Sequence, residues 1–264
     1  LLCLTYPLVG NYGAPGKSHE NDLLMFYESS SIHISGLIVS DYSFEYSHWN
    51  ASESLDAWLK RNNVPGIFGI DTRALTKRIR EKGSMLGRLE PGEEKIGFYD
   101  PNKVNLVAEV STKGKKVYGN GKYRILLVDC GVKYNIIRNL LRRDTTIIRV
   151  PWDYDYHQED YDGLFLSNGP GDPKMCGSTI DHIRRSFELD KPIFGICLGN
   201  QLMALASGAN TYKLKYGHRS HNQPVLKIGT DKAYITSQNH GFAVDNNTLG
   251  KDWEPLYINI NDNT

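Results

Sequence analysis

Cys197 lies in a stretch whose residue types suit nucleophilic chemistry. The apolar run Ile193-Phe-Gly-Ile196 predicts a short buried strand, and good helix formers follow from Gln201 until Gly208. A cysteine on a glycine-containing turn between a strand and a helix is a nucleophile elbow built around sulfur. At a helix N-terminus, the macrodipole and the free N–H groups favour a thiolate and can cradle an oxyanion. The alternative interpretation is that Cys197 is a small buried core residue.

A second glycine-rich turn precedes this elbow by about 25 residues. The segment Leu164-Phe-Leu-Ser-Asn-Gly-Pro-Gly-Asp-Pro173 predicts a buried strand that runs into a tight Gly-Pro-Gly turn. Around both turns, strand patterns alternate with helix patterns, beginning with the strand 123–129. This alternation predicts an α/β fold with an open, mostly parallel sheet over residues 119–264. In such sheets, ligands bind beyond the carboxyl ends of the strands, where both turns fall.

The first half of the chain carries no self-contained catalytic set. It predicts short strands and two helices, the second running from Arg73 to Lys82 with Asp71 or Thr72 as its cap and Gly83 as its stop. The stretch Thr112–Lys122 is polar and glycine-rich, which is typical of a linker. We therefore expect two domains, residues 1–118 and 119–264.

The two turns resemble the signature segments of the class I, triad-type glutamine amidotransferases. In that family, a cysteine thiolate attacks the side-chain amide of glutamine, ammonia leaves, and water cleaves the thioester. The resemblance implies that Cys197 is the nucleophile and that the backbone N–H groups of Leu198 and Gly171 form the oxyanion hole. It also implies a glutamine pocket lined by Gly169, Gly171, Leu198, Gln201, Asn239, Gly241 and Phe242.

The first half is similar to the N-terminal domain of the carbamoyl-phosphate synthetase small subunit and to the matching part of the fused eukaryotic pyrimidine-synthesis proteins. The segments that carry this resemblance are Leu4–Gly13, Gly69–Thr76 and Arg80–Gly87. It implies a glutaminase component that passes ammonia to a separate ATP-dependent synthetase (ATP-grasp) domain or large subunit in de novo pyrimidine (UMP) biosynthesis. Alternatives are an arginine-pathway small subunit or a non-catalytic regulatory domain, as in ammonia-using relatives that lack the cysteine.

The sequence departs from the family pattern in one respect. The family's general base is a histidine in a Phe-His-Pro-Glu segment, and no His-Pro-Glu follows Phe242. His240 is a candidate for this base, but the family's base is a later histidine, so we expect His240 to be a loop-packing residue instead. Because both ends also look cut, we expect a fragment of a longer protein that is inactive, or nearly so, as a glutaminase on its own.

Composition narrows the remaining function classes. The 264 residues have a net charge of +1, which argues against nucleic acid or an anionic membrane as the main partner. The four cysteines form no C-x-x-C pair, which indicates free thiols in a reducing, cytoplasmic setting. The sequence also offers no resolving cysteine near Cys197, which argues against a redox sensor. We expect no cofactor and no metal in this region, since His218 and His221 lack further ligands; ATP, bicarbonate and Mg²⁺ belong to the separate synthetase domain.

Overall fold

The computed structural model of the protein describes residues 1–90, 92–93 and 95–264. The chain divides into two compact units, Leu1–Asp100 and Pro101–Thr264. Composition suggested a linker over residues 112–122, yet the structure forms a strand at Lys116–Tyr118, where Tyr118 is buried and packs into the sheet of the second unit. The boundary near residue 118 stays a prediction about how the two domains are joined.

The first unit is built from very short strands and two helices. Its parallel three-stranded sheet has the order β1-β5-β7, and two further pairs, β2-β6 and β3-β4, are antiparallel. Buried Leu37, Val39, Leu59 and Val64 form its core. The strands are β1 (Leu2–Cys3), β2 (Ala14–Pro15), β3 (His19–Glu20), β4 (Leu23–Leu24), β5 (Leu37–Ile38), β6 (Ala51–Glu53) and β7 (Gly66–Ile67).

Both predicted helices of this unit form with side-chain caps. Helix α1 (Leu55–Arg61) begins after Ser54, whose hydroxyl accepts a hydrogen bond from the N–H of Ala57. Helix α2 (Thr72–Lys82) begins after Asp71, which caps the N–H of Ala74, and stops at Gly83 with a φ of 86°. Of the two capping residues that the sequence offered, the structure uses Asp71. Within the described residues, no helix is both long enough and apolar enough to cross a membrane.

The second unit contains the predicted α/β sheet, with strand order β12-β11-β9-β10-β8. Strands β9 to β12 are parallel to one another, and β8 pairs with β10 in the antiparallel direction at the edge of the sheet. Apolar side chains such as Leu126, Ile148 and Leu166 are fully buried in its core. The elements are α3 (Leu106–Val110), β8 (Lys116–Tyr118), β9 (Tyr123–Asp129), α4 (Tyr134–Leu141), β10 (Thr145–Pro151), β11 (Gly163–Leu166), α5 (Gly177–Ser186), β12 (Ile193–Gly195) and α6 (Leu198–Ala206).

A second sheet of this unit differs from the sequence-based expectation. The polar stretches around His218 and around His240 read as loops, but they lie on β13 (Asn210–Lys227) and β14 (Ala233–Asp245). These strands form a long antiparallel pair with irregular register, and β15 (Tyr257–Asn259) joins on the other side of β13. Polar residues suit this sheet because many of its positions are only half-buried.

Candidate active site

The candidate site lies where three adjacent parallel strands end. Strands β9, β11 and β12 reach their carboxyl ends at Asp129, Leu166 and Gly195. Because β11 lies between the other two and all three are parallel, the segments that follow them emerge at one edge of the sheet. The sheet therefore brings together the predicted elbow, the Gly-Pro-Gly turn and the turn after Asp129.

Cys197 has the backbone conformation of a nucleophile elbow. Its φ of 52° and ψ of −104° lie in a region that L-residues rarely occupy, between β12 and the first residue of α6. The turn is tight because glycine stands on both sides. A Cβ on Gly195 would lie 2.5 Å from the carbonyl carbon of Gly199, and a Cβ on Gly199 would lie 2.3 Å from the carbonyl oxygen of Leu166. The two glycines thus permit the strained conformation of the cysteine.

The surroundings of Cys197 act, on balance, against the thiolate form of its side chain. Burial raises the pKa of Cys197 above its ordinary value, and the N–H of Leu198 and the charge of Lys133 lower it by less. The Sγ atom donates to the carbonyl oxygen of Asn239 at 3.9 Å. The sequence predicted that the helix N-terminus favours a thiolate; the structure shows that effect at Leu198 but gives burial the larger weight.

The Gly-Pro-Gly turn packs directly against the elbow and the β9 turn. A Cβ on Gly169 would lie 2.2 Å from the carbonyl oxygen of Cys130 and 2.6 Å from a methyl group of Leu198, so only glycine fits there. Gly171 adopts a φ of 87°, and the side chain of Leu106 lies nearest to the position that a Cβ would take. The structure thus brings Gly169 to Leu198, while the oxyanion role of Gly171 stays a prediction.

Gln201 and Phe242 connect α6 to β14. The Nε2 atom of Gln201, which is only 7% exposed, donates to the carbonyl oxygen of Phe242 at 2.7 Å. The same oxygen is 2.8 Å from Nδ1 of His240, and Nε2 of His240 is 3.1 Å from Oε1 of Gln238. Burial lowers the pKa of His240. Both ring nitrogens of His240 are thus engaged in hydrogen bonds, and the residue lies on a strand where the sequence indicated a loop.

A cavity of about 790 Å³ opens beside Cys197. Among the residues predicted to bind glutamine, Gln201 lines it together with Cys197, whereas the other predicted pocket residues do not. Asn239 reaches the thiol through its carbonyl, and a Cβ on Gly241 would lie 3.4 Å from the guanidinium of Arg219. Other residues that line the cavity include Asn200, Thr236, Gln238, His240, Trp253 and Asn259.

Lys133 and the Asp129 carboxylate were missed by the sequence analysis. Lys133 is the N-cap residue of α4, and its charge lowers the pKa of Cys197. Asp129 accepts hydrogen bonds of 2.9 Å from the N–H groups of Gly131 and Val132, and so fixes the turn that leads to Lys133. Their position at the carboxyl end of β9 was the available signal, since every strand end at this edge can contribute to the site.

The two histidines that the sequence considered as metal ligands are engaged otherwise. Nδ1 of His218 is 2.8 Å from Oε1 of Gln238, and its Nε2 is 2.8 Å from Oδ2 of Asp262. Nδ1 of His221 is 2.9 Å from the hydroxyl of Ser237. These contacts suit a structural role in the second sheet.

Comparison with known proteins agrees with this geometry. The family pattern described as "Glutamine amidotransferase class-I" matches residues 126–264, and "Carbamoyl-phosphate synthase small chain, CPSase domain" matches residues 1–89. The chain is 49% identical over 269 residues to the multifunctional protein CAD of Squalus acanthias, covering 99% of this chain and 12% of that protein. It is 47% identical over 276 residues to the arginine-specific carbamoyl phosphate synthase small chain of Saccharomyces cerevisiae, covering 99% and 67%.

A third relative is named as an ammonia-type carbamoyl-phosphate synthase. The chain is 49% identical over 268 residues to the mitochondrial carbamoyl-phosphate synthase (ammonia) of Aquarana catesbeiana, covering 99% of this chain and 18% of that protein. The chain therefore spans less than a fifth of the long relatives, CAD and the ammonia-type synthase. The matches along both of its units show that the chain belongs to the class I glutamine amidotransferases, among those whose amidotransferase region follows a carbamoyl-phosphate synthase small-chain domain.

Proposed function

We propose that this chain is the glutaminase component of a glutamine-dependent carbamoyl-phosphate synthase. The observation that carries the proposal is the strained conformation of Cys197 at the N-terminus of α6, on a turn whose flanking glycines admit no side chain. A sulfur atom presented in this way is suited to attack on an amide carbonyl. Family membership supplies the substrate class, the side-chain amide of L-glutamine.

Each step of the proposed reaction can be assigned to residues of the site. The thiolate of Cys197 forms a bond to the amide carbon, and the negative charge that develops on the oxygen is stabilised by backbone N–H groups, for which we propose Leu198 and Gly171. The C–N bond then breaks, and the amide nitrogen takes up a proton and leaves as ammonia. Water cleaves the remaining thioester, which releases glutamate and restores the thiol. The pocket residues proposed for glutamine are those that the resemblance implied, with Gln201 acting through the main chain of Phe242.

We further propose that the 264 residues alone turn glutamine over slowly. Burial raises the pKa of Cys197, which favours the neutral thiol over the nucleophilic thiolate, so the first step calls for a base. Of the cavity-lining residues that the structure describes, His240 is the one histidine, and both of its ring nitrogens are engaged. A cysteine hydrolase without its positioned base loses several orders of magnitude in kcat.

Labelling with a diazo-ketone analogue of glutamine tests the proposal, with the modified residue mapped by mass spectrometry. We expect stoichiometric labelling at Cys197 that excess glutamine suppresses and that Cys197→Ser removes. Cys3→Ser is the matched control, since Cys3 is also half-buried and should leave labelling unchanged. Labelling that glutamine does not suppress, or none in a sample with a folded circular dichroism spectrum, would favour a non-catalytic domain of the ammonia-using kind.

The pathway and partner follow from the relatives and belong to the whole protein. We propose that ammonia passes to an ATP-dependent synthetase region, on the same chain as in a multifunctional protein of pyrimidine synthesis. Support comes from the similarity to CAD and to the pyr-3 protein of Neurospora crassa, which is 47% identical over 299 residues. An antibody raised against this chain should detect a native polypeptide many times longer than 264 residues. A native polypeptide only half as long again would indicate a separate small chain, as in the arginine-specific relative.

A cytoplasmic location is part of the same proposal. The four cysteines are all free, as expected for a protein of a reducing compartment. Fractionation of cells, followed by detection of the native protein, tests this location directly. Detection in the mitochondrial fraction would instead favour the ammonia-type branch, whose members carry that compartment in their names.

A further inference from the structure

A cluster of three potential metal ligands lies in the second unit, on elements that do not include Cys197. Asp155 and His157 follow β10, and His182 lies on α5. One donor atom from each residue can be chosen so that all three lie within 4.8 Å of one another. Throughout residues 1–90, 92–93 and 95–264, this is the one such group of histidine, cysteine and carboxylate side chains.

Each of the two imidazoles has one buried ring nitrogen that lacks a hydrogen-bond partner among the described residues. Nε2 of His157 and Nδ1 of His182 are inaccessible to solvent and have no hydrogen-bond partner among the described residues. Leaving a buried polar atom unpaired costs about 1–3 kcal/mol, so two such atoms on neighbouring imidazoles call for a common explanation. The ring centroids are 5.8 Å apart, and Nδ1 of His182 is 3.9 Å from Oδ1 of Asp155.

The surrounding contacts hold the two segments together. The hydroxyl of Thr179 on α5 donates to the carbonyl oxygen of Trp152 at 2.7 Å, and the hydroxyls of Tyr156 and Ser186 are 3.1 Å apart. Both contacts join α5 to the segment that follows β10. The scaffold that carries the three ligands is therefore fixed before any ion arrives, which is what a metal site requires.

We propose that Asp155, His157 and His182 form a binding site for a divalent transition metal ion of the Zn²⁺ class. Two imidazole nitrogens and one carboxylate oxygen are a donor set that Zn²⁺ accepts, and three protein ligands leave a fourth position for water. In a tetrahedral zinc site, donor atoms lie about 3.3 Å apart. The donors lie within 4.8 Å of one another, so the side chains must rotate toward a common centre to reach that value.

Charges around the cluster are compatible with a cation. The carboxylate of Asp155 brings a negative charge to the two imidazoles. Arg185 is the opposing charge. It contacts Oδ2 of Asp155 at 3.3 Å, whereas Oδ1, which lies 3.9 Å from Nδ1 of His182, accepts the main-chain N–H of His157 at 3.2 Å and keeps a further lone pair for an ion. The sequence analysis considered only His218 and His221 as ligands; Asp155 and His182 are 27 positions apart, and only the fold brings them together.

Cobalt binding tests the proposal, because Co²⁺ takes zinc sites and reports its ligands by absorption. The titration is made on the chain carrying Cys197→Ser, so that the result does not depend on the proposed glutaminase. We expect one equivalent of Co²⁺, visible bands typical of nitrogen and oxygen ligands, no thiolate charge-transfer band, and displacement by Zn²⁺. His157→Gln and His182→Gln should each weaken binding at least about tenfold, while exposed His33→Gln should not.

Two further results decide the matter if a histidine variant fails to fold. On the unmutated histidines, Zn²⁺ should shift the imidazole ring signals of His157 and His182, but not those of His33, in nuclear magnetic resonance spectra. Zn²⁺ should also raise the melting temperature of the same protein. Absence of one-equivalent binding, a thiolate band, or ring signals of His157 and His182 that do not move with Zn²⁺ would overturn the proposal.

Discussion

The side-chain amide of Gln201 donates a 2.7 Å hydrogen bond to the main-chain carbonyl of Phe242. Gln201 lies one helical turn after Cys197 on α6, and Phe242 lies on β14, which also carries Asn239, the acceptor of the thiol. A single buried contact therefore sets the distance between the nucleophile and the strand opposite it. Gln201 acts on the site by holding a strand in place.

Gln201→Met should separate α6 from β14. The substitution keeps the length of the side chain but removes the donor, which leaves the Phe242 carbonyl with His240 as its remaining partner. We expect a loss of about 1–3 kcal/mol in the free energy of unfolding and slower labelling of Cys197. Chemical denaturation and the diazo-ketone reaction measure the two effects. Exposed Gln158→Met is the control, and equal behaviour of the two variants would contradict the role given to Gln201.

Lys133→Met should make Cys197 less reactive at neutral pH. The lysine charge lowers the pKa of the thiol against the larger opposite effect of burial, so its loss leaves the pKa higher still. The thiolate fraction at neutral pH then falls, and the pH at which alkylation becomes fast moves upward. We expect a several-fold slower reaction with iodoacetamide at neutral pH, measured across a pH series.

The matched control for this change is Lys174→Met, an exposed lysine that follows Asp172 in the segment after the Gly-Pro-Gly turn. It removes the same charge from the chain without an effect on the pKa of Cys197. If both variants shift the alkylation profile equally, the effect is one of net charge, and Lys133 has no specific part in the site.

The sequence predicted most of the α/β sheet because its strands are buried on both faces. Strand β9 was expected at residues 123–129 and forms at Tyr123–Asp129, since a continuous apolar run of this length has few alternatives. The elbow could also be predicted from the sequence, because Gly195 and Gly199 beside Cys197 let the backbone segments of the turn approach each other closely. Local sequence patterns of this kind are enough to predict the backbone conformation of the segment.

The features that the sequence did not predict depend on partners far along the chain. The stretch around His240 reads as a loop, yet it pairs with β13, and its register contains irregularities that no local pattern encodes. The strand Lys116–Tyr118 looked like a linker because its exposed residues are polar, although Tyr118 is buried against β10. The raised pKa of Cys197 likewise follows from burial, which only the folded chain determines.

Gly199→Ala should destroy the elbow. The new methyl group would lie 2.3 Å from the carbonyl oxygen of Leu166, and neither backbone segment can move without breaking the sheet. We expect a loss of about 3 kcal/mol, at the upper end for overpacking, together with loss of glutamine-protected labelling. Gly177→Ala is the control, because nothing lies within 4 Å of the position that its Cβ would take, and it belongs to α5. That variant should be as stable as the unmodified chain or slightly more stable.

Arg149→Met should destabilise the second unit and disturb the site at the same time. The guanidinium donates to Oδ2 of Asp129 through Nε at 2.9 Å and Nη2 at 2.6 Å, and Asp129 is completely buried. Without Arg149, that carboxylate is a buried charge whose remaining partners are main-chain N–H groups, a change that costs about 3–5 kcal/mol. Denaturant unfolding measures the loss.

The site should respond because the same carboxylate fixes the turn before Lys133. Oδ1 of Asp129 accepts from Gly131 and Val132, so relaxation of Asp129 moves the charge that lowers the pKa of Cys197, and we expect slower alkylation in the folded fraction of Arg149→Met. The exposed pair of Arg184 and Asp181, 2.7 Å apart, provides the control. Arg184→Met should leave both stability and alkylation unchanged, because exposed ion pairs contribute little. A stable Arg149→Met chain with normal alkylation would show that the buried pair neither holds the fold nor positions the turn.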